Sequence, residues 1–189
     1  MKSLLKSKRG LSTVVTTLII LVVSVLLATV VTFYAINVTT TRVQEESIHL
    51  TKLHFWHNGT TYSEVAILII NSGGRDFVLD KIAVRGQQSA WDNVYYNKTQ
   101  DAISPDLTYI TPNANSTLLG KTITLGSNTY GLTRGTAGND MILKSGWSMI
   151  CYITDPDSLS VNDIGVTLGI TIFTANAQYY KEANVEASA

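Results

Sequence analysis

The sequence predicts an α+β protein, a long N-terminal hydrophobic α-helix followed by an antiparallel Ig-like β-sandwich head, and three observations carry that prediction. No charged residue lies between Arg9 and Arg42. Within that gap, residues 11–36 hold 19 apolar side chains of 26, with neither proline nor glycine. Beyond residue 50 the apolar period shortens from that of a helix to the alternation of strands. Composition agrees: 189 residues suit one ordinary domain with something added, and 15% charged against 45% hydrophobic residues is a poor composition for a disordered chain.

The helix comes first in the chain. At a rise of about 1.5 Å per residue, residues 11–36 would measure roughly 39 Å, enough to cross a bilayer core of about 30 Å. Lys2, Lys6, Lys8 and Arg9 precede the run and Glu45 and Glu46 follow it, so the positive-inside tendency keeps the N-terminus cytoplasmic and sends the rest outside. Its many β-branched residues are weak helix formers in water, but lipid offers the backbone no other partner. Thr13, Thr16, Thr17 and Ser24 fall within a sector of about 100°, where hydroxyls can bond carbonyls one turn back and neighbouring helices can approach. From Asn37 the pattern turns polar, and the helix is predicted to continue to about Leu50. An ordinary secretory signal fits poorly, because its apolar core is about 7 to 15 residues and is followed by the cleavage site. Here the small residue, Gly10, stands before the apolar run.

That junction, Lys-Ser-Lys-Arg-Gly10 followed by Leu11-Ser-Thr-Val-Val-Thr-Thr-Leu-Ile-Ile, resembles the class III signal peptide and N-terminal helix of archaeal type IV pilin-like proteins, the archaellins and adhesion pilins. The resemblance covers some 40 to 50 residues. It implies cleavage between Gly10 and Leu11, and three parts: a signal peptide over 1–10, an assembly or transmembrane helix over 11–50, and a β-sandwich head over 51–189. It further implies a homopolymer whose helices form a filament core through Leu11, Val15, Leu18, Val22, Leu26 and Phe33, with the membrane holding the helix before assembly. A prepilin peptidase, an assembly ATPase and a platform protein are the implied partners. Bacterial type IV pilins carry Glu five residues after the cut, where this chain has Val15, which favours the archaeal branch. Physics agrees with the cut: four unpaired cations beside a dry helical core would each cost several kcal/mol. The trimmed chain would carry 10 basic and 14 acidic residues.

Eight strands are predicted in the head: 51–57, 63–71, 77–85, 91–97, 117–125, 147–154, 165–174 and 178–185. Asn58-Gly59, Asn71-Ser72-Gly73-Gly74 and Gly138-Asn139-Asp140 supply turns, and Pro105, Pro112 and Pro156 stand between strands. Many short strands without helical crossovers give an antiparallel sandwich, although the Cys and Trp hallmarks of true Ig domains are missing. Leu168, Ile170 and Ile172 alternate with Thr167, Gly169 and Thr171, marking a strand with one apolar face.

Chemistry is sparse in these residues. With 14 basic and 14 acidic residues and no basic cluster beyond Arg9, nucleic-acid binding has no electrostatic footprint. His49, His54 and His57 lie close in sequence, but His54 and His57 would face opposite sides of a strand and His49 would end the helix, so no metal site is expected. Asp155, Asp157 and Asp163 read as a solvated Asp-Pro-Asp turn, since the spacing lacks the glycine and final Glu of a calcium loop. Cys151 reads as a small buried hydrophobe. No nucleophile elbow, phosphate loop or dinucleotide motif occurs, so neither an enzyme nor a cofactor is expected. Four sequons, at Asn37, Asn58, Asn97 and Asn115, are candidates for N-glycosylation. Nine tyrosines, including Tyr95-Tyr96 and Tyr179-Tyr180, suit either subunit contacts or cross-strand packing. The expectation is a structural, non-catalytic subunit of an extracellular filament for adhesion or motility, which would use the same helix and head. The alternative is a permanently membrane-anchored Ig-like surface binding protein that keeps its basic tail.

Overall fold

The computed structural model describes residues 2–43, 45–138 and 141–188. The chain divides into two compact units, Met1–Gln44 and Glu45–Ala189.

The first unit is one helix, α1 (Lys2–Val43). Its apolar stretch Ser12–Thr41 is long and apolar enough to cross a membrane, and none of it is buried within the chain. The hydroxyls behave as the sequence predicts: Thr16 donates to the Ser12 carbonyl at 2.9 Å, Thr17 to Val14 at 2.9 Å and Ser24 to Ile20 at 2.7 Å. Thr29, Thr32 and Thr39 do the same one turn back. These hydroxyls are thus satisfied inside the helix, which is what an apolar surrounding requires.

The second unit is a β domain with twelve strands among the described residues. In chain order they are β1 (Ile48–His57), β2 (Ser63–Asn71), β3 (Phe77–Val84), β4 (Gln87–Gln88), β5 (Val94–Thr99), β6 (Thr122–Leu125), β7 (Asn128–Gly131), β8 (Thr133–Arg134), β9 (Met141–Leu143), β10 (Ser148–Thr154), β11 (Thr167–Thr174) and β12 (Gln178–Ala187). Ten of them join in the order β4-β3-β11-β12-β1-β2-β10-β5-β8, with β9 on β3, while β6 and β7 form a separate hairpin. All pairs are antiparallel except β1 with β12, which run parallel over Phe55–His57 and Val185–Ala187. This makes the chain α+β, an apolar helix followed by a mostly antiparallel β domain.

Two apolar cores explain the architecture. In the first, Phe55, Val65, Ile67, Ile69, Met149, Cys151 and Ile153 from β1, β2 and β10 pack with Leu79, Ile82, Val84, Ile170 and Ile172 from β3 and β11. In the second, the opposite face of the same β2 and β10 presents Ala66, Leu68, Ile150 and Tyr152. Leu107, Leu118, Ile123, Leu125, Tyr130 and Leu132, from residues 107–132, cover that face. Consequently every residue of β10 is buried, and its sequence SMICYIT reads as a nearly continuous apolar run, as strands covered on both faces do.

Several boundaries differ from expectation. The helix ends at Val43 and β1 starts at Ile48, not at a junction near residue 50. The reason lies in the residues between: the Ser47 carbonyl accepts the N–H groups of Ser72 and Gly73 at 3.0 Å each, and Ile48 and Leu50 turn into the first core. The contact division accordingly falls at 44/45 rather than 50/51. His49 is therefore a strand residue paired with Ile70, not a helix end. The predicted strand 91–97 begins with a 3-10 turn, Trp91–Asn93, and pairs only from Val94. Of the predicted strand 117–125 only Thr122–Leu125 pairs, with Asn128–Gly131. Asn139 and Asp140, predicted to turn after Gly138, lie outside the described residues.

Candidate functional site

The first candidate site is the apolar surface of α1. Val15, Leu18, Val22, Leu26 and Phe33 are all exposed in the single chain, Phe33 at 68% of its surface. A shallow groove along the helix is lined by Val25, Ala28, Thr29, Thr32, Phe33 and Ile36, a mixture of small and large side chains that admits a neighbouring helix or acyl chains closely. Gly10 and Leu11 both lie within the helical backbone.

The four sequons fall into very different surroundings. Asn58 closes the β1–β2 connection, its Oδ1 accepting the backbone N–H groups of Thr60, Thr61 and Tyr62 at 2.9, 3.1 and 3.0 Å and the Thr60 hydroxyl at 2.9 Å. Such an Asx arrangement fixes the turn much as an N-cap fixes a helix. Asn97 lies in β5, and its Nδ2 donates to the Gly131 carbonyl at 2.7 Å. Asn115 is exposed at the tip of the irregular stretch between β5 and β6. Asn37 is helical, with the Thr39 hydroxyl donating to the Ala35 carbonyl at 2.8 Å.

The histidines do not converge. His54 Nε2 meets Asp106 at 3.0 Å and its ring stacks on Trp56 at 5.0 Å, whereas His57 is buried and accepts the Gly59 N–H at Nδ1. Among the described residues no group of three His, Cys, Asp or Glu side chains is placed to hold a metal ion. Nor is the aspartate cluster merely a solvated turn. Asp155 accepts the Ser63 N–H at 2.9 Å, and Asp163 accepts from Ser160 N–H and hydroxyl at 2.8 Å each and pairs with Arg85 at 3.0 Å. Hydrogen bonds from Ser160, with the Arg85 charge, hold the Asp163 carboxyl below its ordinary range. Asp157 is exposed and accepts from Gln87 Nε2 at 3.5 Å, so the three carboxylates point to separate partners. Cys151 is fully buried, and burial pushes its thiol up to about 12, which leaves it an inert core residue. Tyr95 is buried in the second core, Tyr96 and Tyr179 pack against the first, and Tyr180 is 62% exposed, so three of these four tyrosines pack on a core.

Sequence reasoning missed Glu64. This carboxylate opens β2 and is fully buried, accepting the Tyr62 hydroxyl at 2.8 Å and the Ile110 N–H at 2.9 Å. Burial pushes it up to about 7, against the lowering effect of both hydrogen bonds. Nearby, the Tyr152 hydroxyl donates to the Thr108 carbonyl at 2.8 Å, and Lys52 donates to the carbonyls of Ser104 and Pro105. Together these four side chains, counting His54, tie residues 104–110 to the sheet. One signal was present: an acid directly before the apolar run Val65–Ile70 sits where a buried strand would place it.

No protein-family model matches this chain, and no curated protein matches it.

Proposed function

We propose that this chain is the structural subunit of an extracellular helical filament of the archaeal type IV pilin-like kind, serving adhesion or motility. The observation that carries the reading is the helix Ser12–Thr41, largely apolar, with no charged residue and with none of it buried among the described residues, preceded by a basic segment ending at Gly10. Each exposed Val, Leu or Ile on it would gain about 1.5 to 3 kcal/mol on leaving water, so lipid or other copies of the helix must take the place of solvent. The membrane serves first, and neighbouring helices serve after a peptidase has removed residues 1–10. A non-closing repeat of that contact builds a filament, with the β domains outermost. The strand order supports the Ig-like reading of the head: β1-β2-β10-β5 on one side and β3-β11-β12 on the other match the ABED and CFG sets of that architecture. The prepilin peptidase, assembly ATPase and platform protein are partners by resemblance alone.

The test is the N-terminal peptide mass of protein sheared from intact cells. A start at Leu11 in a high-molecular-weight sheared fraction is expected. A start at Met1 confined to the membrane fraction overturns the proposal in favour of a permanently anchored surface protein.

A further inference from the structure

We infer that Asn115 is the position at which this protein carries an N-linked oligosaccharide, and that Asn37, Asn58 and Asn97 stay unmodified. The inference rests on the reading that the β domain is exported. A sequon offers two groups: the amide that becomes the linkage and the hydroxyl two residues on. At Asn58 the side chain is locked in its turn, because Oδ1 holds four donors, one of them the sequon's own Thr60 hydroxyl, and the amide cannot swing out to a transferase without breaking them. At Asn97 the linkage atom itself is held: Nδ2 donates to the Gly131 carbonyl at 2.7 Å, and the Thr99 hydroxyl oxygen accepts the Asp101 N–H at 3.0 Å. A sugar on Asn97 would also press its first ring against the strand that Gly131 ends. Asn37 lies inside a regular helix with its Thr39 hydroxyl bonded back to Ala35.

Only Asn115-Ser116-Thr117 differs. Among the described residues neither the Asn115 amide nor the Thr117 hydroxyl takes part in a hydrogen bond within the chain, and Asn115 is exposed. Its base, by contrast, is fastened. Asn113 N–H donates to the Thr117 carbonyl at 2.9 Å, Ser116 N–H to the Asn113 carbonyl at 3.0 Å, and Asn113 Nδ2 to the Leu119 carbonyl at 2.9 Å. Ser116 takes the left-handed conformation, φ 55°, and Leu118 is fully buried in the second core immediately after. The sequon is a fixed loop whose tip alone is free.

The donor is a lipid-phosphate-linked oligosaccharide on the outer side of the membrane. The bond from the sugar's anomeric carbon to the phosphate oxygen breaks, the bond from that carbon to Asn115 Nδ2 forms, and one Nδ2 proton leaves with the lipid phosphate. The product amide keeps its second N–H. The sugar has a structural use at this place. Residues 100–121 carry no helix or strand yet cover the second core, and irregular exposed backbone is where proteases cut.

Trypsin separates the four sequons, since cleavage after Arg9, Lys52, Arg85 and Lys98 releases peptides each containing one of Asn37, Asn58, Asn97 and Asn115. The protein is isolated from the cells that make it and the glycopeptides are fragmented, while surface labelling of intact cells reports whether the β domain is outside. Hexose-type mass increments on the 99–121 peptide alone are expected, abolished in Asn115→Gln and Thr117→Ala and kept in Thr117→Ser. A labelled β domain whose 99–121 peptide is found only at its unmodified mass, or a sugar on Asn58 or Asn97, overturns this inference and leaves the export reading standing. A β domain inaccessible on intact cells overturns both.

Discussion

The carboxylate of Glu64 accepts the backbone N–H of Ile110 at 2.9 Å, joining a strand buried on both faces to an irregular segment 46 residues further along the chain. The bond is buried, it is charge-dependent, and it belongs to the layer over the second core. The behaviour of that layer follows from it.

Stability of the β domain should fall as pH rises through neutrality. Glu64 titrates at about 7 in the folded chain, against an ordinary 4.5 when unfolded. The folded state therefore binds the proton more tightly, so this group's contribution is complete below 4.5 and is lost as pH climbs through 7. The difference is on the order of 3 kcal/mol. Thermal melts of the detergent-solubilised chain should show a higher midpoint at pH 5 than at pH 8, and Glu64→Gln should flatten the difference. If the wild-type and Glu64→Gln profiles run parallel, the buried acid is not the source.

Leu118→Ala should cost about 2 to 5 kcal/mol, as for a Leu deleted from an ordinary core, although the residue lies in a stretch without regular structure. Leu118 is fully buried among Trp56, Leu68, Tyr152 and Ile123. Urea unfolding followed by tryptophan fluorescence would measure it. A change below about 0.5 kcal/mol, the range of surface substitutions, would mean that the covering layer is a dispensable flap.

Gly73→Ala and Gly169→Ala should separate sharply. A methyl group on Gly73 would meet the Ser47 nitrogen at 2.6 Å and the Glu45 carbonyl at 2.8 Å, both backbone atoms held by the entry into β1. On Gly169 it would meet the Tyr180 ring, which is 62% exposed and can swing aside. The first substitution should therefore destabilise by about 1 to 3 kcal/mol and the second by less. Equal melting midpoints for the two variants would show that the chain entering β1 yields easily.

Much of this architecture could be read from residue order, because period and charge report burial directly. The helix announced itself by the charge gap from Arg9 to Arg42, β2 was placed at both ends by Ser63 and Asn71, and β11 by the alternation of Leu168, Ile170 and Ile172. Strands of two or three residues were illegible. Gln87–Gln88, Thr133–Arg134 and Met141–Leu143 are strands only because β3 and β5 offer them edges, which no local pattern encodes. The second core was hidden for a related reason. Leu107, Leu118 and Ile123 are scattered among prolines, threonines and asparagines without any period, and only the fold brings them onto one face of β2 and β10. Of the candidate sites, the sequons were visible but their differences were not, since the hydrogen bond from Asn97 to Gly131 depends on a strand 34 residues away that the local sequence does not announce.

Two substitutions in α1 should separate export from assembly. Gly10→Val alters the residue before the cut and should leave the basic tail in place, so the chain should accumulate in the membrane at full length without filaments. Val22→Asp tests the next step. One Asp at the centre of a span costs about 2.5 to 3.5 kcal/mol on insertion, which the surrounding run of Leu, Ile and Val outweighs. In a filament the same charge would be buried unpaired in every subunit, at several kcal/mol each, with no water to relieve it. Membrane levels of the Val22→Asp chain should therefore stay near normal, with residues 1–10 removed, while the sheared high-molecular-weight fraction falls at least tenfold. Quantifying the chain in both fractions, with its N-terminal mass, distinguishes the steps. Filaments at normal yield from the Val22→Asp chain would place the helix somewhere other than a dry core.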